Sequence, residues 1–323
     1  MKKRMAFVVE EITENGFSKV LLKDLAGNCF AAILPGCGAI LHGFSVQHNG
    51  AWMNVIDHYD DAADFKNNCT AKGFKGCKLS PFVCRLNHGK YSFAQQEYSI
   101  EKFYLGKNAL HGLLYDVPFL ITEKLADGEK ASVTMKHEYR KADKGFPFDY
   151  DCIVTYELRE NNTLTVITTL INKDEGLIPV TDGWHPYFTL GKKIDELQLE
   201  FQSKEMLEFD AELIPTRKLL PYAEYGSLRM IGDAFFDNCF TLNFAECQPL
   251  FVLRNPAQKI QVAISPDPSY PYLQIYTPPH RNSIAIENLG AAPDAFNNGM
   301  GLLTLAPGAA AAFKTKYTIS SLP

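Results

Sequence analysis

The stretch ASVTMKHEYR, residues 131–140, changes side-chain character at every position. Ala131, Val133, Met135, His137 and Tyr139 fall on one face, and Ser132, Thr134, Lys136, Glu138 and Arg140 on the other. A period of two is the signature of a half-buried strand, since successive side chains of a strand point to opposite sides. The pattern resumes downstream. Cys152, Val154, Tyr156 and Leu158 make an apolar face, Asn161-Asn162 interrupts it, and Leu164, Val166 and Leu170 continue it. Two such runs joined by an Asn-Asn turn predict an antiparallel hairpin. Further out, Ile260, Val262 and Ile264 repeat the motif, as do Phe313, Tyr317 and Ile319.

Scanned in this way, the chain offers roughly seventeen to twenty candidate strands and no convincing apolar helix pattern. The expectation is an all-β protein, built as a large antiparallel β-sandwich or barrel. No stretch is rich enough in Pro, Gly or Ser to serve as a linker, and no fixed-period repeat occurs. A single domain over residues 1–323 is therefore expected. The segment from Asp57 to Cys77 is polar, carries Asn67-Asn68 and two glycines, and reads as a long surface excursion.

Composition narrows the partners. The 32 basic and 37 acidic residues leave a formal charge of −5, without blocks of Lys or Arg. That balance argues against nucleic acid or an anionic membrane and toward a small molecule. The start, MKKRMAFVVEEI, has a basic head but a five-residue apolar run, short of a secretory signal. Eight cysteines form no Cys-x-x-Cys pair and no zinc spacing, so a reduced, cytoplasmic setting is expected, with Cys29, Cys152 and Cys239 acting as small core residues. The sequence leaves the oligomeric state open, a homodimer included.

Four segments place titratable groups beside Gly or Pro, where strands end and sites are built. They hold Arg85 in SPFVCRLNHG, His111 in NALHGLLYD, His185 in TDGWHPYFTLG and Glu287 in SIAIENLGAAPDAFN. Pro186 keeps His185 out of helical geometry, and Trp184, Tyr187 and Phe188 offer flat surfaces for a sugar ring. Gly112 lets the backbone beside His111 approach a neighbour closely. Glu287 reads as closing an apolar strand. Each residue alone has an ordinary structural reading: a core histidine, a loop histidine, a solvated carboxylate. Together, an imidazole and a carboxylate that can face one another are the pair needed for general acid and base catalysis. A two-His, one-Glu metal site is conceivable, but there is no His-Glu-x-x-His helix, and no Gly-x-Ser-x-Gly elbow supports a nucleophilic serine. No metal and no cofactor are expected.

With these residues, the sequence resembles the aldose 1-epimerases, or galactose mutarotases. The resemblance rests on Arg85, Asn108-Ala109-Leu110-His111-Gly112, His185-Pro186-Tyr187-Phe188, Asp237 in FFDNCF and Gln274 in LQIYTPP. It continues through Glu287, Pro293-Asp294-Ala295-Phe296-Asn297 and Leu305-Ala306-Pro307-Gly308. Each motif is short, but the order and spacing run through most of the chain. The resemblance implies a mutarotase-like β-sandwich with an open cleft that interconverts the anomers of a free hexose without a cofactor. It implies His185 as the acid that protonates the ring oxygen, Glu287 as the base on the anomeric hydroxyl, and His111 beside the anomeric centre. Arg85, Asn108, Asp237, Gln274 and Tyr187 would bind the sugar. By analogy with paired groups around a sugar, His185 and Glu287 are expected to straddle a gap of roughly 6 to 9 Å.

Two departures concern specificity. Cys84 stands where the family has Asn, and Leu113-Leu114 follow His111-Gly112 where a second Gly is usual. Two other readings remain. A hexose-6-phosphate epimerase would need cations around the phosphate, for which Arg85, Lys72 and Lys78 are the candidates. A silent carbohydrate-binding sandwich would have no need of both His185 and Glu287.

Overall fold

The computed structural model describes residues 6–322; the basic head of the chain lies outside them. The hairpin read from the sequence is present. Asp149–Arg159 pairs antiparallel with Thr163–Asn172, and Asn161 and Asn162 take the left-handed φ values of 60° and 50° that turn the chain. Cys152, Val154, Tyr156, Leu158, Leu164, Val166 and Leu170 are all buried.

This hairpin is the middle of a nine-stranded antiparallel sheet. Its spatial order is Leu120–Ala126, Lys130–Arg140, Asp149–Arg159, Thr163–Asn172, Ala310–Ser321, Ile260–Pro266, Phe251–Asn255, Gln198–Phe201 and Arg229–Met230. An eight-stranded sheet contains Pro215–Pro221, Ser203–Phe209, Asp237–Leu242, Tyr272–Tyr276, Ile284–Leu289, Gly183–His185 and Cys77–Leu79 in that order. Its eighth strand, Tyr187–Phe188, also pairs with Ile284–Leu289. A five-stranded meander runs from Phe7–Glu14 to Ala51–Asn54. All three are antiparallel, and the large sheets face one another as a β-sandwich.

Contacts across the layers show which way each strand faces. The Trp184 indole donates to Thr168 Oγ1 (3.2 Å), Phe188 packs edge-on against Tyr317 (5.5 Å), and Thr315 Oγ1 donates to Asn288 Oδ1 (2.8 Å). Trp184, Phe188 and Asn288 therefore point into the sandwich. Period-two alternation sends their neighbours His185, Tyr187 and Glu287 to the opposite face. Beneath them lies a buried ion pair of Lys78 and Asp182. Lys78 also donates to Gly183 O (3.0 Å) and sits 4.3 Å from the Trp184 ring, while Tyr270 donates to Asp182 Oδ2 (2.7 Å).

Three expectations are corrected here. Among the described residues there are 29 strands, because pieces of two or three residues such as Arg85–Leu86 are too short to show alternation. The segment from Asp57 to Cys77 has an exposed side but is not a mere surface excursion. It contains the helix Ala62–Asn68 and buries Tyr59, Phe65, Phe74 and Cys77. Trp184 and Phe188 are core residues and offer no surface to a sugar. All eight cysteines are free thiols, with Cys29, Cys152 and Cys239 in the interior as expected. Among the described residues, no helix is long and apolar enough to cross a membrane.

Candidate active site

Glu287 is the fourth residue of Ile284–Leu289, in mid-strand and not at its end. Every residue of that strand is buried, so the polar residue on its outer face has no solvent to meet except through a cleft. Gln274 is the cross-strand partner of Glu287, and Asp237 begins the next strand, where Gln274 Nε2 donates to Asp237 Oδ1 (2.9 Å). On the other side, His185 ends Gly183–His185, opposite Cys77. Antiparallel pairing thus sets His185, Glu287, Gln274 and Asp237 side by side across four strands.

A loop closes over one end of this row. Leu110 pairs with Arg85, and both Cys84 (φ 49°) and His111 (φ 62°) turn through left-handed geometry, tied by His111 N–H to Cys84 O (2.9 Å). A Cβ at Gly112 would lie 2.3 Å from Ser80 O, so only glycine allows the backbone to approach there. The His111 ring meets His185 edge-on at 4.9 Å and is covered by Phe74 at 4.8 Å. Tyr187 stacks on His185 at 5.2 Å and donates to Gly73 O (3.0 Å). The Pro293–Asn297 motif acts as a buttress, for Asp294 N–H donates to Arg85 O (2.8 Å) and its carboxylate accepts from Asn87 N–H (2.8 Å).

The result is a cleft of 440 Å³ into which Arg85, His111, His185, Tyr187, Asp237, Gln274 and Glu287 all face. Asn108 is the exception among the sequence-derived residues. It is absent from the cleft lining, and its side-chain oxygen accepts from His88 N–H (2.9 Å), so it holds the loop. Lys72, a candidate phosphate cation in the sequence, lines the cleft, and so do Phe74, Lys75, Tyr276 and His280, which were not singled out. The first three lie in the segment whose polarity suggested solvent, and the Tyr276–His280 turn carried only its paired prolines as a signal.

His185 and Glu287 do not straddle a gap. Nε2 and Oε1 are 3.3 Å apart, and Glu287 is only 1% exposed. Burial pushes the His185 imidazole down to about 4 and the Glu287 carboxyl well above the usual carboxylate range. The Asp237 charge pushes Glu287 further up, while Arg85 and the Cys84 thiol, 3.9 Å from Oε2, pull it back. Burial thus disfavours the charged form of each group and favours the neutral pair, with a single proton on Glu287. Burial likewise keeps His111 neutral and raises Asp237, against the opposing charge of Arg85. His111 Nδ1, His185 Nδ1 and Gln274 Oε1 are buried with no partner. Unsatisfied polar atoms converging on one cleft fit a ligand rich in hydroxyls. Among the described residues, no group of three or more His, Cys, Asp or Glu is placed to hold a metal ion.

The family profile described as aldose 1-epimerase matches residues 22–318. An aldose 1-epimerase of Streptococcus thermophilus is 27% identical over 217 residues, 65% of this chain and 60% of that protein. A maltose epimerase of Levilactobacillus brevis is 23% identical over 281 residues, covering 79% of this chain and 78% of its own. A galactose mutarotase-like protein of Clostridium acetobutylicum superposes with a TM-score of 0.86 at 17% identity, over 98% of this chain and 99% of the other, which establishes the shared fold. With the profile spanning nearly its whole length, the chain belongs to the aldose 1-epimerase family of isomerases.

Proposed function

We propose that the protein interconverts the α and β anomers of a free, uncharged aldohexose, with His185 and Glu287 as the acid–base pair. The observation that carries this reading is their direct contact in a buried position on the cleft wall. Opening a hemiacetal takes a proton from the anomeric hydroxyl and delivers one to the ring oxygen. Those two oxygens are bonded to the same carbon, so an acid and a base in contact suit the reaction. The wide spacing of paired carboxylates in inverting glycosidases makes room for a water molecule that this reaction does not use.

The shared proton serves both halves of the cycle. With the proton on His185 and Glu287 ionised, Glu287 accepts the hydroxyl proton as His185 protonates the ring oxygen, and the ring opens to the aldehyde. That leaves His185 neutral and Glu287 protonated, the state burial favours in the empty cleft. After rotation about the C1–C2 bond the transfers reverse, and the ring closes on the other face of the carbonyl. Arg85 and the sugar hydroxyls favour the ionised form of Glu287 that begins the cycle. His111, neutral and edge-on to His185, is placed to hydrogen-bond near the anomeric carbon. Asp237, Gln274 and Arg85 meet the remaining hydroxyls, and Tyr187 orients His185 by stacking.

An uncharged substrate fits better than a sugar phosphate. Lys78 is paired with Asp182 in the interior, Lys72 with Asp60 (3.2 Å) and Asp64 (2.6 Å), and Lys75 with Asp57 (2.7 Å). A phosphate entering the cleft would meet lysines whose charge is already matched. Polarimetry of freshly dissolved α-glucose, α-galactose and α-maltose tests the reading. The protein should speed the approach to anomeric equilibrium for at least one of them. Activity confined to hexose 6-phosphates would transfer the assignment to the phosphorylated class, and none on any aldose would remove it.

A further inference from the structure

Besides the row of Asp237, Gln274 and Glu287, the cleft is lined by the segment Thr70–Lys75. It is bounded at its two ends by Cys69, which caps the helix Ala62–Asn68, and Cys77, the cross-strand neighbour of His185. Their sulfurs lie 3.8 Å apart. Backbone bonds from Phe74 N–H to Cys69 O (2.8 Å) and from Cys77 N–H to Phe74 O (3.1 Å) fold the intervening residues over the two thiols. We infer that Cys69 and Cys77 are an oxidation site at which a hydroperoxide forms a disulfide, and that this bond displaces the cleft wall.

The two thiols are suited to different roles. Cys69 is half-buried where Cys77 is fully buried, which makes it the more accessible of the two, and Tyr59 donates to its sulfur (3.4 Å). Hydrogen bonding from Cys77, with help from Tyr59, holds the Cys69 thiol below its ordinary range, although burial and, less strongly, the charge of Asp116 oppose this. Burial pushes Cys77 up, so it stays a thiol. Attack follows the thiolate and its access. The Cys69 thiolate takes the terminal oxygen of the peroxide, breaking the O–O bond and releasing an alcohol or water once a proton is taken up. The resulting sulfenic acid is attacked by the Cys77 sulfur. The S–O bond breaks, the Cys77 proton leaves with the hydroxyl as water, and the S–S bond forms. Two thiols are oxidised and one peroxide is reduced.

A disulfide holds its sulfurs about 2 Å apart, so the pair must close by more than an ångström. That movement is transmitted to Gly73, whose carbonyl anchors Tyr187, and to Phe74, which covers His111. A shift of about 1 Å at a catalytic constellation costs up to roughly 10²-fold in rate. The effect on turnover rests on the function proposed above; the chemistry of the thiols does not.

The test is hydrogen peroxide titration of the full chain, blocking of residual thiols, and tryptic digestion without reductant. Cleavage after Lys72 and Lys75 separates the two cysteines, so a disulfide appears as one linked species that dithiothreitol resolves. Linked Cys69 and Cys77 are expected, with kcat/KM for mutarotation falling roughly ten- to a hundredfold and returning on reduction. Cys69→Ser should keep its basal turnover and lose the sensitivity; Cys77→Ser should lose the linked species. Linkage of Cys69 to Cys37, oxidation of Cys69 to a sulfinic acid without linkage, or a disulfide that leaves turnover unchanged would each overturn the inference. Were the reduced protein inactive on every aldose, the function would fall, and the linked species together with sugar affinity before and after oxidation would decide the present inference alone.

Discussion

The two large sheets use the same strand geometry and hide different things. In the nine-stranded sheet, Asp149–Arg159 alternates between buried and half-exposed over most of its length, and its apolar face is the core. In the eight-stranded sheet, Ile284–Leu289 is buried on both faces, one packed against the other sheet and the other bringing Glu287 to the cleft. The first sheet is a scaffold, and its strands can be judged by how much apolar surface they remove from water. The second carries polar groups where burial opposes their charge, so its strands serve chemistry at the expense of stability. Damage to the two sheets should therefore read out in different measurements.

The largest separation is expected from Glu287→Gln. The amide keeps the shape and a hydrogen bond but accepts no proton, so kcat should fall by about 10² to 10⁴ with little change in sugar affinity. His185→Asn should lose a similar factor. Stability should move the other way. The folded pKa of Glu287 is raised, so its contribution to stability is greatest below the ordinary carboxylate range and is lost as pH rises through the folded value. Gln removes that loss, and the variant should melt above the wild type at neutral pH. A variant that lost stability together with activity would show that Glu287 belongs to the scaffold.

Next comes Lys78→Ala, beneath the site. It leaves Asp182 buried without its cation, and about 3 to 5 kcal/mol of unfolding free energy should be lost in urea titrations. A loss below about 1 kcal/mol would mean that Asp182 simply takes up a proton, and that the pair contributes little. In the nine-stranded sheet, Leu158→Ala should cost about 2 to 5 kcal/mol through the cavity it leaves, with kcat of the folded protein unchanged. A reduced kcat there would break the division between the sheets.

The same contrast explains what the sequence disclosed. Val133, Val154 and Leu164 announced their sheet because one face of each strand is apolar and the other wet. Ile284–Leu289 gave no alternation, so Glu287 read as a strand end. The 6 to 9 Å separation came from glycosidase geometry, and the contact with His185 depends on strand pairing between segments about a hundred residues apart. The segment Asp57–Cys77 misled because its buried residues, Tyr59, Phe65, Phe74 and Cys77, follow no regular period. Gly112, by contrast, was legible locally, since a close backbone approach admits only that residue. Asn108 shared a motif with His111, yet its side chain turns to the backbone of His88.

The central claim is that His185 and Glu287 act through one shared proton, and the pH dependence of kcat/KM tests it most directly, because that ratio reports the free enzyme. Below about 4, His185 gains a proton while Glu287 already holds one, the pair has no base, and activity should fall as pH falls. On the alkaline side, activity should fall as Glu287 loses the shared proton, well above the usual carboxylate range, because the pair then has no acid. The account predicts a broad plateau between these limbs, with Glu287→Gln leaving only residual turnover across it. A profile governed by a single ionisation at the ordinary value of histidine, unchanged in shape by Glu287→Gln, would contradict it.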